Sequence, residues 1–476
     1  MMIKEKKWQI FVALALGTIM VPINTSIVNV ALPFIAVGFK SNVLNVEWVI
    51  TSYLISLLGL VLFFGSLGDK IGHEKVYLSG LIFFIFTSFL CSLSPSLLYL
   101  NIFRALQGIG GAMMISVSLG MVKNAFPSYE WGKSLGIYAM VIATGLAIGP
   151  AIGGILIGLF GWQSIFLANL PIGIISFCIC LFVLERKQGV DVNWDIPGII
   201  LQFITLFSTI LFLNQLNNPI ISDSSKILLG SLIAVFLGLF IWREKTAESP
   251  LLDLTLFSNH KFSAFNLALF FNYMSLYMII FALPFYIQKV LHYGPFLTGI
   301  VLTVSPLLMM IIAPFSGFSS DRIGSRPLAF FGSLISALAF FLMTKLTIFS
   351  SIYIVAFLMI VLGVGTAIFQ APNNRAIMAS IPRDTSGQAS SILVTMRNLG
   401  MIFAVSIGSL LISTTIDYNI LNSPILYNLE SYDFTQGLHL IALLGSILSL
   451  VMAILSLWGS KHLKEVKPLV KDIIEN

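Results

Sequence analysis

The side chains of this chain that could do chemistry are mostly amides and arginines within long apolar stretches. Arg104 and Arg397 lie inside such stretches, and we place none of the 20 acidic residues at the middle of one. An arginine in an apolar span is costly and normally faces a polar interior. A single amide there usually joins two helices, but together these groups indicate a wet, weakly cationic cavity. The residues predicted to serve it are Asn24, Asn29, Arg104, Gln107, Asn272, Gln370, Asn373, Asn374, Arg397 and Asn398.

The same survey argues against an enzyme. The apolar stretches contain no Ser/His/Asp set and no His or Cys cluster with the spacing of a metal site. The three cysteines, Cys91, Cys178 and Cys180, have neither metal-binding nor disulfide-framework spacing. We therefore predict no catalytic residue, no metal and no bound cofactor.

A short polar loop occurs twice between apolar segments. Its glycines allow two helices to turn tightly, and its aspartate can hydrogen-bond a neighbouring helix N-terminus. We interpret the loop as a gate that latches one conformation and releases in another. The gating residues are Gly65, Asp69, Lys70 and Gly72, which recur 252 positions later as Gly317, Asp321, Arg322 and Gly324.

Long apolar helices must position these residues. Of the 476 residues, 57% are hydrophobic and 10% are charged, against about 25% charged in soluble domains. Runs of about 20 apolar residues match a helix that crosses roughly 30 Å of hydrocarbon. Hydropathy predicts fourteen helices, near 8–36, 46–66, 75–93, 96–122, 133–160, 162–184, 196–214, 227–243, 262–289, 298–318, 327–345, 351–377, 388–416 and 438–460.

The repeat divides these helices into two similar halves. Pro127 recurs as Pro382, 255 positions later, which agrees with the loop offset. We predict an all-α polytopic membrane protein with two six-helix bundles and two inserted helices. The predicted domains are an N-terminal bundle (1–184), a linker with the inserted pair (185–261), a C-terminal bundle (262–460) and a cytoplasmic tail (461–476). Parallel repeats of this kind are typical of secondary transporters whose site lies between the halves.

The basic residues predict the orientation. Placing the N-terminus in the cytoplasm puts 20 of the 26 Lys and Arg residues at or near the cytoplasmic face, as the positive-inside rule requires. We expect both termini in the cytoplasm and the chain in the cytoplasmic membrane. The net charge of +6 is thereby explained without a nucleic-acid partner.

Three motifs resemble those of the major facilitator superfamily. Residues 65–75 (GSLGDKIGHEK) resemble its signature loop, and residues 104–112 (RALQGIGGA) resemble its R-x-x-Q-G motif. Residues 145–154 (GLAIGPAIGG) resemble the antiporter motif of its exporters. A proline and several glycines there give a bendable, closely packed helix face. The motif residues are Gly145, Gly149, Pro150, Gly153 and Gly154.

Further stretches resemble the fourteen-helix drug:proton antiporter family, so the resemblance covers essentially the whole chain. They are residues 25–33, 162–173, 194–198 and 249–254. The resemblance implies efflux of small amphipathic compounds, often cationic, in exchange for protons. The partners it implies are a small-molecule substrate and the lipid bilayer, with a proton gradient as energy source. It does not indicate the oligomeric state.

One position departs from that family. The family usually carries Asp where this chain has Asn24, and an amide cannot titrate. The remaining candidates for proton exchange are Glu47 and Asp417, near the outer ends of the second and thirteenth helices.

Three readings therefore stay open. The leading one is a proton-driven exporter of amphipathic, drug-like compounds. The second is a facilitator of the same fold that moves an anionic metabolite or lipid-like molecule, with Arg104 and Arg397 facing its charge. The third is a membrane receptor or scaffold that no longer transports.

Overall fold

The part of the chain that the computed structural model describes is helical and contains no strand. It comprises residues 2–127, 130–184, 195–216, 221–247, 254–381, 386–416 and 428–458. The predicted fold class is confirmed, because fourteen described helices are long and apolar enough to cross a membrane. A helix forms hydrogen bonds between its own backbone N–H and C=O groups, and hydrocarbon offers no other partner for these groups.

The fourteen spans are labelled in chain order. The first six are α1 (Lys6–Gly38), α2 (Val43–Ile71), α3 (His73–Ser92), α4 (Leu97–Ala125), α5 (Ser134–Phe160) and α6 (Ser164–Val183). The inserted pair is α7 (Ile196–Gln215) and α8 (Asp223–Thr246). The last six are α9 (His260–Val290), α10 (Pro295–Ile323), α11 (Ser325–Met343), α12 (Ile352–Ala379), α13 (Ile392–Ser413) and α14 (Ser431–Leu457).

The repeated loop ends two equivalent helices in the same way. Gly72 stops α2 with φ 106° and Gly324 stops α10 with φ 86°, a region that favours glycine. The amide of Gly72 donates to the Gly68 carbonyl at 2.9 Å, and the amide of Gly324 donates to the Ser320 carbonyl at 3.1 Å. We call the end of the bundle that holds these two turns the motif end, and the other the far end.

Equivalent helices also pack alike within each half. Helix α2 packs against α4, and α10 packs against α12. Helix α1 packs against α5, and α9 packs against α13. The two halves meet along two seams, one between α5 and α10 and the other between α2 and α13.

The inserted pair lies beside the second seam. Helix α7 packs against both α2 and α13, and α8 packs against α7. Asp195 begins α7, because its carboxylate accepts from the Gly198 amide at 3.2 Å. The same carboxylate pairs with Arg243 of α8 at 2.8 Å. None of the residues in the apolar window of α8 is buried, which fits a helix that faces lipid.

Candidate functional site

A cavity of about 380 Å³ lies between the two halves. Its walls come from α1, α5, α9, α10, α12 and α13. It runs from Gly136 to Pro150 along α5 and from Leu302 to Pro314 along α10. The cavity therefore reaches from the middle of the bundle toward the motif end. Its size and largely apolar walls are those of small-molecule binding sites.

The polar wall of the cavity is built around Tyr273. The amide of Gln370 donates to the Tyr273 hydroxyl, and Arg397 interacts with the same hydroxyl. The rings of Tyr273 and Tyr277 lie 6.2 Å apart at an interplanar angle of 31°. The Nε of Arg397 is buried and has no hydrogen-bond partner among the described residues. This wall thus offers aromatic faces beside an incompletely satisfied guanidinium.

The charge of the cavity is positive. Among the described residues that line it, Arg397 is the only charged one. The remaining polar groups are amides and hydroxyls, and three methionines form part of the apolar wall. Methionine side chains are flexible and polarizable, so such a wall adapts to ligands of different shape. The methionines are Met140, Met309 and Met310.

The structure brings part of the predicted polar set to this cavity. Asn29, Gln370, Asn374 and Arg397 line it. Asn272, Asn373 and Asn398 are buried outside its lining, and the Asn373 amide donates to the Phe265 carbonyl at 3.1 Å. The other three residues, Asn24, Arg104 and Gln107, form a separate network.

That network is centred on Arg104, inside the N-terminal half. Arg104 is fully buried, and its guanidinium donates to the Val49 carbonyl at 2.8 Å, to Asn24 at 2.7 Å and to Gln107 at 2.6 Å. The guanidinium also lies over the Tyr53 ring, 4.2 Å from its centroid. This arrangement differs from the prediction that Arg104 serves the cavity. The guanidinium of Arg104 donates its hydrogen bonds to groups on α1, α2 and α4.

The aspartates of the two gating loops contact different side chains. Asp69 lies 2.9 Å from His73 at the start of α3. Asp321 lies 3.0 Å from Arg375 of α12. The basic residues that follow them, Lys70 and Arg322, are exposed. The glycines that begin the two motifs also correspond, since Gly65 faces Ser116 of α4 and Gly317 faces Ala371 of α12.

The glycines of the motif at residues 145–154, here called the fifth-helix motif, permit close helix contacts. A Cβ at Gly149 would clash with Ser26 of α1, and one at Gly153 would clash with Ile27. Gly154 faces the other half, where a Cβ would clash with the Pro295 carbonyl of α10. A Cβ at Gly145 would come 2.9 Å from Pro22. The motif therefore packs α5 onto α1 and closes the α5–α10 seam at the far end.

Some contributions to the site were absent from the sequence prediction. The methionines carry no sequence signal, because an apolar residue in an apolar span fits any face. Tyr273 and Tyr277 of α9 line the cavity, while Phe281 of the same helix is buried in the core. Asp417 lies outside the described residues.

Comparison with known proteins identifies the family. The family model described as Major Facilitator Superfamily matches residues 14–256 and 265–473. The chain belongs to the major facilitator superfamily. It is 34% identical over 419 residues to the riboflavin transporter RibZ of Clostridioides difficile, covering 87% of this chain and 90% of that one. It is therefore a multi-pass membrane transporter by family.

Other superfamily relatives have names that refer to drug efflux. The chain is 29% identical over 405 residues to the multidrug transporter protein MdtP of Bacillus subtilis, covering 85% of this chain and 75% of that one. It is also 29% identical over 402 residues to the tetracenomycin C resistance and export protein of Streptomyces glaucescens, covering 84% and 74%.

Solved structures of the superfamily share the fold. A bacterial homologue of the human lysosomal transporter Spinster, inward-facing and occupied, matches with a TM-score of 0.69 at 14% identity over 94% of this chain and 96% of that one. The xylose transporter XylE of E. coli matches with a TM-score of 0.62 at 12% identity over 96% and 99%.

Proposed function

We propose that this facilitator exports small amphipathic aromatic compounds, uncharged or anionic, in exchange for protons. The observation that carries the substrate class is the polar wall of the cavity, where Arg397 stands beside Tyr273 and Tyr277. A guanidinium binds carboxylate, sulfonate or phosphate groups through charge-assisted hydrogen bonds. Aromatic rings and methionines accept flat apolar surfaces.

Organic cations should be poorer substrates. No acidic residue is among the described lining residues, so a cation would face Arg397 without a counter-charge. Cation–π contacts with tyrosine contribute about 0.5–2 kcal/mol, which a nearby like charge opposes. This preference separates the chain from exporters of cationic drugs.

We assign the export direction from the motif of residues 145–154 on α5 and from the family resemblance, and the orientation gives the side from which substrate loads. We place the motif end and both termini in the cytoplasm, because the basic residues concentrate there. The cavity extends toward this end, while Gly154 and Pro295 close the far end. The structure then corresponds to the state that loads substrate from the cytoplasm.

Inverted proteoliposomes test the function. With the motif end outside and an acidic lumen, anionic and uncharged aromatic dyes should accumulate inside while protons leave. A cationic dye of similar size should accumulate less, and collapse of the pH gradient should abolish accumulation. Preference for the cationic dye, or accumulation equal to that of empty liposomes, would contradict the proposal.

A second candidate is flavin transport. The 34% identity to RibZ favours it, and riboflavin is an uncharged amphipathic molecule with a flat aromatic ring system. The tyrosine pair and the amides of Asn29, Gln370 and Asn374 could receive such a ring. If riboflavin moves toward the motif-end compartment and competes fully with the dyes, flavin uptake is the better description.

A further inference from the structure

Glu47 is an ionisable side chain buried at the far end of the contact between the halves. It lies where α2 turns from the short helix Val43–Val46 into Trp48–Ile71, and it is fully buried. Neither carboxylate oxygen has a hydrogen bond of ordinary geometry among the described residues. No ion pair of the described residues includes it.

The groups around this carboxylate come from three parts of the molecule. Ser406 and Ser409 of α13 belong to the C-terminal half, and Asn214 belongs to the inserted helix α7. Thr51 lies one turn along α2, and its buried hydroxyl has no partner. All are uncharged donors or acceptors. Arg104, on the neighbouring helix α4, directs its bonds to Val49, Asn24 and Gln107 instead, and its Nη2 has no hydrogen-bond partner among the described residues.

Such surroundings suit a carboxylic acid better than a carboxylate. An ionised carboxylate removed from water without a cation costs several kcal/mol. A protonated carboxyl can donate one hydrogen bond and accept others. Hydroxyl and amide groups can accept from it with small side-chain adjustments.

The sequence repeat shows that this position lies at the contact that must open. By the 252-residue offset, Glu47 corresponds to Gly299 of α10, and by the 255-residue offset Ser409 corresponds to Gly154 of α5. Gly299 and Gly154 meet directly, since a Cβ at Gly299 would lie 3.2 Å from the Gly154 Cα. The α5–α10 seam thus closes with two glycines, and the equivalent α2–α13 seam closes around a carboxyl group.

We propose that Glu47 is a proton-binding site that couples closure of the far end to proton uptake, with Asn214 of the inserted helix completing it. The proposal rests on the proposed proton-driven function. When the far end opens, Glu47 meets the outer solution as a carboxylate. One proton from that solution converts it to the acid, which the closed seam can bury. In the inward-open state the proton passes to the cavity, which opens toward the cytoplasm, and the carboxylate left in the closed seam favours reopening of the far end.

Cysteine labelling at the far end tests the site without transport. Gln288 of α9 donates to the Val30 carbonyl of α1 at 3.2 Å across the halves and is partly buried, so a Gln288→Cys thiol should react faster when that end opens. The native Cys91, Cys178 and Cys180 are replaced by serine, and a membrane-impermeant reagent is applied outside. We expect reactivity to increase, from acidic to alkaline outer pH, several-fold more than thiol ionisation alone accounts for. With Glu47→Gln added, only the increase due to thiol ionisation should remain.

Two further variants sharpen the labelling result. Asp223→Asn removes an exposed carboxylate at the far end of α8 and should leave the pH dependence unchanged. Asn214→Leu should shift the transition to higher pH, because the carboxylate loses an amide donor and the closed state binds the proton of Glu47 more tightly. An unchanged pH dependence in Glu47→Gln would overturn the proposal.

Transport separates a failure of this site from a failure of the proposed function. Glu47→Gln should retain substrate exchange within about twofold, since the seam still buries a neutral group, but substrate-linked proton movement should fall to background. If the wild-type protein moves no protons with substrate, proton coupling fails as a function. If both proteins move protons equally, the assignment to Glu47 alone is overturned. Loss of exchange in a folded Glu47→Gln protein would also overturn it.

Discussion

Arg104 and Arg397 look alike in the sequence and differ in the structure. Each is an arginine within an apolar span, which is why both could be predicted as functional. Which one reaches the ligand depends on the rotation of its helix and on the neighbours it meets. Each has one unpartnered nitrogen among the described residues, Nη2 of Arg104 and Nε of Arg397. Arg104 nevertheless finds three acceptors inside its own half, whereas Arg397 lines the cavity. Hydropathy carries no information on that difference.

Substitution of Arg397 should change substrate preference. We expect Arg397→Gln to weaken the apparent affinity for an anionic dye about tenfold or more, because a hydrogen bond to a charged group contributes about 1.5–3 kcal/mol. Affinity for an uncharged dye of similar shape should change less. Concentration dependence of dye transport in proteoliposomes measures both. Arg326→Gln, at an exposed position on α11, is the control, and equal losses for both dyes would contradict a role in charge recognition.

Substitution of Arg104 should act on stability. Arg104→Met leaves the Val49 carbonyl and the Asn24 and Gln107 oxygens without their donor, and a buried acceptor left unsatisfied costs about 1–3 kcal/mol. The thermal unfolding midpoint in detergent should fall by several degrees, whereas Arg326→Met should leave it unchanged. A normal unfolding midpoint together with abolished transport would instead indicate that Arg104 acts in transport, as the sequence predicted, and not in stability.

At the scale of secondary-structure elements, more of the structure could be predicted from the sequence than at the scale of single residues. All fourteen helices were predictable, because the bilayer fixes their length and the backbone must be satisfied within each one. The glycine turns after α2 and α10 were predictable as well, because both copies of the loop need a residue that tolerates positive φ. Which helices pack against each other was not predictable. The close contact of Gly154 with Pro295 joins residues from different halves, and no local pattern encodes it.

A methyl group at this contact should prevent the far end from closing. We expect Gly154→Ala to reduce transport at least tenfold and to raise far-end accessibility of a Gln288→Cys thiol. Gly158→Ala, one turn along the same helix, should behave as wild type, because a Cβ there would lie 3.7 Å from Pro295 at ordinary contact distance. Equal transport by the two variants would show that the seam does not need to close this tightly.

At the scale of the molecule, the repeat predicts two bundles and a site between them, and the structure places a cavity there. The cavity walls come from six helices, so its shape depends on many rotations that sequence spacing leaves free. The proton site at Glu47 needs the same long-range information. Its groups come from α2, α13 and the inserted α7, and the most distant two, Glu47 and Ser409, are 362 positions apart in the sequence.

The central claim is that the two ends open alternately around one cavity. Spin labels at Lys40 and Lys345 report the far end, and labels at the equivalent Lys70 and Arg322 report the motif end; all four residues are exposed. Electron–electron double resonance would measure both distances in liposomes at acidic and alkaline pH, with and without an anionic aromatic substrate. We predict that the far-end distance increases at alkaline pH while the motif-end distance decreases. Distances that stay fixed under all four conditions, or that change in the same sense at both ends, would contradict the account.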